Sequence, residues 1–218
     1  MKLNKIKFFK PNISIGGNLA IVGSSASILK KENGKYIDSF EEVIRLNNAI
    51  TKNFESHVGN KTTLRIVNNN VFFRTRETGN EFFLQELKPS KLGVIAPFKI
   101  KEYDKIKFSK DNHEYYFFNS LNAKLFFFIY FIKYPKIFMK LIELVNSRKQ
   151  FSVGFITILT CVVHKIKPTL FGFDLNEDMS QRSHYYIKNR PIGGRHDFTK
   201  EHEIIKNLLK QNLIFYEI

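Results

Sequence analysis

Two imidazoles, two phenols and a carboxylate follow one short apolar run near the end of this chain. After Pro168 to Asp174 come His184-Tyr185-Tyr186 and then His196-Asp197-Phe198-Thr199-Lys200-Glu201. A histidine moves a proton at neutral pH with little tuning, and a second hydrogen-bonding or cationic group can stabilise a departing phosphate. His196 stands just before a helix capped by Asp197 or Thr199, a placement that suits a general base. Glu201 falls in the first turn of that helix, where the helix dipole alone favours a carboxylate. His184 and the tyrosines beside it can donate to a phosphate oxygen; Tyr185 and Tyr186 can equally pack as partly buried aromatics. Singly, each histidine has a structural explanation, and their joint placement after one strand is what points to chemistry.

Three small-residue segments upstream could receive an anion or a sugar. Ile21-Val22-Gly23-Ser24-Ser25-Ala26-Ser27 reads as a strand running into a turn where backbone amides and hydroxyls can approach a phosphate or ribose closely. It has neither the lysine of a P-loop nor the spacing of a dinucleotide fingerprint, and such turns also occur without a ligand. Arg45-Leu46-Asn47-Asn48 ends a second strand, where Asn47 could read a sugar hydroxyl or a base edge, or cap its own loop. In Phe151-Ser152-Val153-Gly154-Phe155, Ser152 caps an almost wholly apolar helix. Such a helix must be buried, so its free first-turn amides face the interior or a bound anion, unless Ser152 serves only its own helix.

The elements that must position these groups alternate along the chain. Strands are expected at Leu19–Gly23, Val43–Asn47, Thr62–Val67, Leu92–Ala96, Thr169–Phe173 and Leu213–Ile218. Helices are expected as a short turn at Phe40–Glu42, a long aromatic segment Leu121–Val145 interrupted at Pro135, a helix from Ser152 through His164, and one opened by Thr199. This succession favours an α/β fold with a mostly parallel central sheet flanked by helices. The 218 residues suit one domain, 1–218, with 121–148 as a helical acceptor-side or membrane-facing insertion.

A net charge of +15 attracts polyanions: nucleic acid, anionic headgroups or phosphorylated substrates. The lysines are spread evenly, and no dense arginine block or RNA-binding signature is present, so no nucleic-acid partner is expected. The single cysteine, Cys161, excludes an intramolecular disulfide and reads as a core thiol. Met1 to Lys7 lacks the apolar segment of a secretory signal, and Leu125 to Ile132 is too short to span a bilayer. A cytoplasmic location follows as an expectation, with the stretch Phe126 to Lys140 either a core helix pair with snorkelling lysines or a contact with an anionic membrane.

Taken in order, the segments resemble the four sialylmotifs of glycosyltransferase family 29. Leu19 through Thr63 is similar to motif L, with Val22-Gly23-Ser24-Ser25, Ile37-Asp38-Ser39, Val43-Ile44-Arg45-Leu46-Asn47 and Val58-Gly59-Asn60-Lys61-Thr62-Thr63. Phe151 through Phe173 is similar to motif S, including Ser152-Val153-Gly154 and Phe171-Gly172-Phe173. His184-Tyr185-Tyr186 resembles motif III, and His196 with Glu201 reproduces the His-x-x-x-x-Glu of motif VS. The resemblance implies an inverting, metal-independent sialyltransferase on a modified GT-A (Rossmann-like) fold, moving sialic acid from CMP-sialic acid to a glycan hydroxyl without a cofactor. By the same matching His196 is the base and His184 the phosphate partner. Gly23, Ser24, Ser25, Asn47, Ser152, Gly154, Gly172, Phe173, Tyr185 and Glu201 make the donor pocket.

Three departures accompany the resemblance. The motif L to motif S disulfide is absent, Ser24 stands where an asparagine is usual, and Ile187 stands where motif III usually closes on an acid. The short, anchorless, lysine-rich chain suggests a bacterial protein acting on lipopolysaccharide or capsule glycan, peripheral at the inner face of the plasma membrane; it resembles the family 42 bacterial enzymes more loosely. Rival readings are a transferase for another CMP-activated acidic sugar, a metal-dependent transferase using Asp174, Asn176 and Asp178, and a basic nucleic-acid-binding module.

Overall fold

The computed structural model describes residues 18–68, 91–96, 115–175, 184–186 and 194–217. Ile187, Asn176 and Asp178, like Met1 to Lys7, lie outside them. Seven strands form one sheet: β1 (Leu19–Val22), β2 (Glu42–Leu46), β3 (Leu64–Asn68), β4 (Lys91–Ala96), β5 (Tyr115–Asn119), β6 (Thr169–Phe171) and β7 (Phe215–Glu217). Their order is β5-β4-β3-β2-β1-β6-β7, and every pairing is parallel. Alternate residues point to opposite faces: Leu19, Ile21, Ile44, Leu46, Leu64, Ile66 and Leu170 to one, Ala20, Val22, Val43 and Phe171 to the other. Crossovers cover both faces with helices, so both sets are buried and the strands read as unbroken apolar runs.

On the Val22 face lie a 3₁₀ turn (Ala26–Lys30) and the short helices α1 (Gly34–Asp38) and α2 (Glu55–Val58), which bury Ile28, Ile37 and Val58. On the Ile21 face lie α3 (Ser120–Phe131), α4 (Pro135–Asn146), α5 (Val153–Val163) and α6 (Phe198–Lys210). All eleven residues of α5 are buried, as an apolar-all-round helix requires. The stripe Glu201, Ile204, Ile205, Leu208 is the buried face of α6, at the i, i+3, i+4, i+7 spacing. Pro135 ends the aromatic segment as expected: α3 stops at Phe131, and the proline becomes the first residue of α4, where its missing N–H costs nothing.

The short helix expected at Phe40–Glu42 is corrected: helix occupies Gly34–Asp38, and β2 starts at Glu42. The reason is competition for the backbone. The amides of Glu41 and Glu42 donate to the side-chain and main-chain oxygens of Asn18, at 2.7 and 3.2 Å, which draws this segment alongside β1. The Phe40 ring meanwhile packs edge-on against Phe171. The strand expected to reach Phe173 ends at Phe171, because Gly172 takes a φ of +66°.

The chain runs β1 to β5 outward in one direction and then returns to place β6 on the opposite side of β1, so the strand order switches between β1 and β6. There the two strand ends cross closely. Gly23 N–H donates to Phe171 O at 2.8 Å and Ser25 N–H to Gly172 O at 3.2 Å. A methyl group placed on Gly23 would come 2.3 Å from the Gly172 carbonyl oxygen, which is backbone and cannot swing away. Gly23→Ala is therefore expected to lower stability by about 1–3 kcal/mol, the usual range for overpacking. A urea midpoint equal to that of the parent protein would show that the crossing tolerates a side chain.

Candidate active site

In open α/β sheets ligands collect beyond the carboxyl ends of the strands where the order switches, and Gly23, Ser24, Ser25, Gly172, Phe173 and His184 meet at that point. Gly23-Ser24-Ser25 forms its floor. The Ser25 hydroxyl accepts from Ser27 N–H at 3.3 Å and caps the 3₁₀ turn, while Ser24 O accepts from Tyr185 N–H at 3.0 Å. An antiparallel bridge joins Ser25 to His184. His184 is thereby held against the turn, with its ring stacked on Tyr186 at 5.3 Å. Tyr185 points the other way. It is 8% exposed, its ring meets Phe54 edge-on, and its hydroxyl donates to Ile50 O. It fills the core beneath His184, the second of the two roles its sequence allowed.

Asn47 follows β2 directly and takes the left-handed region, at φ +50°. Its N–H donates to Ile66 O, and its Oδ1 accepts from Asn68 N–H at 3.0 Å. With Oδ1 engaged, the Nδ2 group is the part of the side chain left to donate to a ligand oxygen. Below it, the guanidinium of Arg65, 1% exposed, donates to the carbonyls of Asn47 and Ala49 at 2.8 and 3.0 Å. The rest of the motif L segment is scaffold. Asp38 accepts from the amides of Asn60 and Lys61, and Arg45 donates to Val58 O, Lys61 O and Thr62 Oγ1.

The third wall is the start of α5. Ser152 Oγ accepts from Phe155 N–H at 3.1 Å as an N-cap, and donates to Glu201 Oε2 at 2.6 Å; Ser152 N–H donates to Glu201 Oε1 at 2.7 Å. Glu201 is 2% exposed, so its carboxylate is a brace that fastens α6 to the start of α5. Gly154 makes room for the Phe173 ring: a methyl group there would lie 3.0 Å from the ring, and one on Gly23 would lie 3.2 Å from it. Phe173 thus bridges the turn and the helix start, and Tyr216 of β7 fixes it by donating to Phe173 O at 2.7 Å.

His196 Nδ1 lies 2.7 Å from Gln150 O, and Gln150 N–H donates to Arg195 O at 2.9 Å. A carbonyl only accepts, so Nδ1 carries the hydrogen and, in the neutral ring, Nε2 carries the lone pair. That tautomer is the one a proton acceptor needs at Nε2. The anchor is two residues before Ser152, so the histidine and the helix start share one support. Among the described residues no group of three or more His, Cys, Asp or Glu side chains could hold a metal. Cys161 is buried, and burial pushes its thiol far above the usual range, which leaves it inert.

Gly23, Ser24, Ser25, His184, Gly172, Phe173, Gly154 and Ser152 therefore form one connected set, with Asn47 at the neighbouring strand end and His196 bonded to Gln150, two residues before Ser152. Tyr185 and Glu201 turn inward under it. Gln150, Arg65 and Tyr216 were not singled out from the sequence. Arg65 did carry a signal, a cation between Leu64 and Ile66 in a strand covered on both faces. The Gln150 contact uses a backbone carbonyl and leaves none.

The family model for glycosyltransferase family 29 (sialyltransferase) matches residues 17–213. The chain belongs to this family. Among curated relatives, a β-galactoside α-2,6-sialyltransferase 2 of Xenopus tropicalis is 50% identical over 52 residues, 24% of this chain and 10% of the relative. A β-1,6-galactosyltransferase of Arabidopsis thaliana is 36% identical over 86 residues, 38% of this chain and 22% of the relative. The matched segments thus span a tenth to about a fifth of those relatives. Both are eukaryotic proteins, so they lend no support to the bacterial origin expected from the sequence. A mammalian sialyltransferase crystal structure shares the fold, with a TM-score of 0.63 at 21% identity over 92% of this chain and 68% of that one. A mammalian sialyltransferase in complex with Gal-β-1-3GalNAc-ortho-nitrophenol gives 0.59 at 20% identity, over 92% and 69%.

The Glu201 brace is open to measurement. Glu201→Ala is expected to lower stability by about 2–4 kcal/mol, since hydrogen bonds to a buried charge are among the stronger ones and the Ser152 amide loses its acceptor. Urea unfolding reads this directly, and a loss below about 0.5 kcal/mol, the size of an ordinary surface change, would show the brace to be idle.

Proposed function

We propose that this chain is an inverting, metal-independent sialyltransferase that moves sialic acid from CMP-sialic acid to a hydroxyl of a glycan acceptor. The observation that carries this reading is the meeting, at the β1/β6 switch point, of the Gly23 turn with His184 on one flank and the Ser152 helix start on the other, beside a histidine held in its Nδ1–H form. In this reading His196 Nε2 takes the proton of the acceptor hydroxyl as the hydroxyl oxygen attacks the anomeric carbon. The bond from that carbon to the CMP phosphate oxygen breaks on the opposite side, and configuration inverts. His184, beside the Gly23 turn, donates to the phosphate as it leaves, while Ser24, the Asn47 amide and the first amides of α5 hold the nucleotide. The net charge of +15 concentrates an anionic donor near the site.

The relationship to a plant galactosyltransferase favours a second reading, in which the same site takes a nucleotide-activated galactose. The nucleotide discriminates. Thermal unfolding with CMP beside UMP is expected to show a shift for CMP alone; a shift for a uridine nucleotide alone would support the second reading, and no shift for any nucleotide would sink both.

His196→Ala is expected to keep CMP binding and lose roughly 10²- to 10⁴-fold in turnover, the usual worth of a general base. Unchanged turnover would remove His196 from the role. His184→Ala is expected to slow the chemical step more than it weakens donor binding, because its hydrogen bond strengthens as charge grows on the phosphate; equal effects on both would argue for simple binding. Activity is expected to persist in a chelator.

A further inference from the structure

Helix α3 has an unusual side-chain distribution. From Leu125 to Ile132 every residue is apolar or aromatic, and a helix apolar all round is normally enclosed by protein or by lipid. Among the described residues of α3 only one side is enclosed. Phe127 and Phe131 are buried in the core, whereas Leu125, Ile129 and Ile132 are 62%, 64% and 65% exposed. Their i, i+4, i+7 spacing makes them a single stripe, and Met139 of α4 is exposed as well. Isolated exposed hydrophobics need no explanation, but a continuous stripe marks a contact surface.

Cations border this stripe. Lys133 and Lys136 are exposed at the turn between α3 and α4. The Lys133 ammonium lies over the Tyr130 ring at 4.1 Å and 5.3 Å from the centre of Tyr134. An apolar stripe edged by lysines and tyrosines matches the layering of a membrane interface, where acyl chains meet anionic headgroups. The twelve residues of α3 reach only about 18 Å, and among the described residues no helix is long and apolar enough to cross a bilayer. The exposed lysines beside the stripe favour an anionic lipid surface over a second copy of the chain, and the oligomeric state tests that choice.

We propose that the outer face of α3, with the turn into α4, docks in the plane of an anionic lipid surface. Leu125, Ile129, Ile132 and Met139 enter the acyl boundary, and Lys133 and Lys136 meet the headgroup phosphates. The same helix also touches the segment that leads into the candidate site: the Lys124 ammonium lies 4.7 Å above the Phe151 ring, one residue before Ser152. The docking does not rest on the proposed transferase activity. Where that activity holds, it brings the site to acceptors carried on lipid.

The experiment is flotation of the full chain with phosphatidylcholine vesicles, with and without phosphatidylserine, read without any sugar donor. Binding is expected only to the serine-lipid vesicles, and to fall as sodium chloride rises. Ile129→Glu with Ile132→Glu is expected to weaken binding on the order of tenfold or more at an unchanged urea midpoint, because both side chains already face solvent. Lys133→Glu with Lys136→Glu, an exposed pair that leaves the apolar stripe intact, is expected to weaken it at least about fivefold per lysine. Absence of binding to anionic vesicles, binding that neither pair of substitutions reduces, or a parent dimer that the isoleucine substitutions convert to monomer would each overturn the proposal.

Discussion

Two backbones pass so closely beyond β1 and β6 that neither Gly23 nor Gly172 can carry a side chain without displacing the other. This crossing sets the positions of almost everything used in the site. From Gly23 the chain enters the turn that takes His184 by main-chain bonds; from Gly172 it enters Phe173, whose ring reaches Gly154 and the start of α5. A methyl group at either glycine would push the two halves of the site apart by a fraction of the distance on which hydrogen-bonding catalysis depends. Hydrogen-bonded catalytic groups lose effect over about an ångström of misplacement, so a steric constraint in the fold becomes a constraint on rate.

A second fixed point is the carboxylate of Glu201. Burying a charge is costly unless it is fully hydrogen-bonded, and Glu201 is placed where two donors of Ser152 converge on it. A leucine here would continue the stripe of Ile204, Ile205 and Leu208 and pack well. It would leave the Ser152 amide without an acceptor and the start of α5 free to shift. The residue trades packing for direction, and the direction is that of the helix end beside Phe173 and Gln150.

How much of this was legible beforehand depended on where the information resided. The sheet was readable because both its faces are covered, so β1, β2, β3, β4 and β6 announce themselves as apolar runs between glycine, asparagine and proline. Helix α5 and the break at Pro135 were readable for the same reason of strong local signal. The Phe40–Glu42 segment was misjudged because its amides bond to Asn18, some twenty residues away, and nothing local reveals that partner. Within the site, His184, His196 and the glycine turns were identifiable by residue type. The inward turn of Tyr185 was one of two open options, and the bracing by Glu201 lay hidden behind a local explanation that also suits any acid in a first helical turn. The Gln150 and Ile50 contacts are made by backbone carbonyls, which every residue possesses, and so no residue type could signal them.

The brace from Glu201 and the bond from Tyr216 to Phe173 both come from segments that follow α5 in the sequence, while the turn they help to complete precedes it. In a chain that has emerged as far as β6, α5 starts without its carboxylate, and β6 presents a bare edge until β7 pairs with it. During synthesis such a chain has an incomplete site and is open to chaperones or proteases at that edge. The carboxylate of Glu201 and the strand that covers the edge of β6 thus have to be in place before the site is complete.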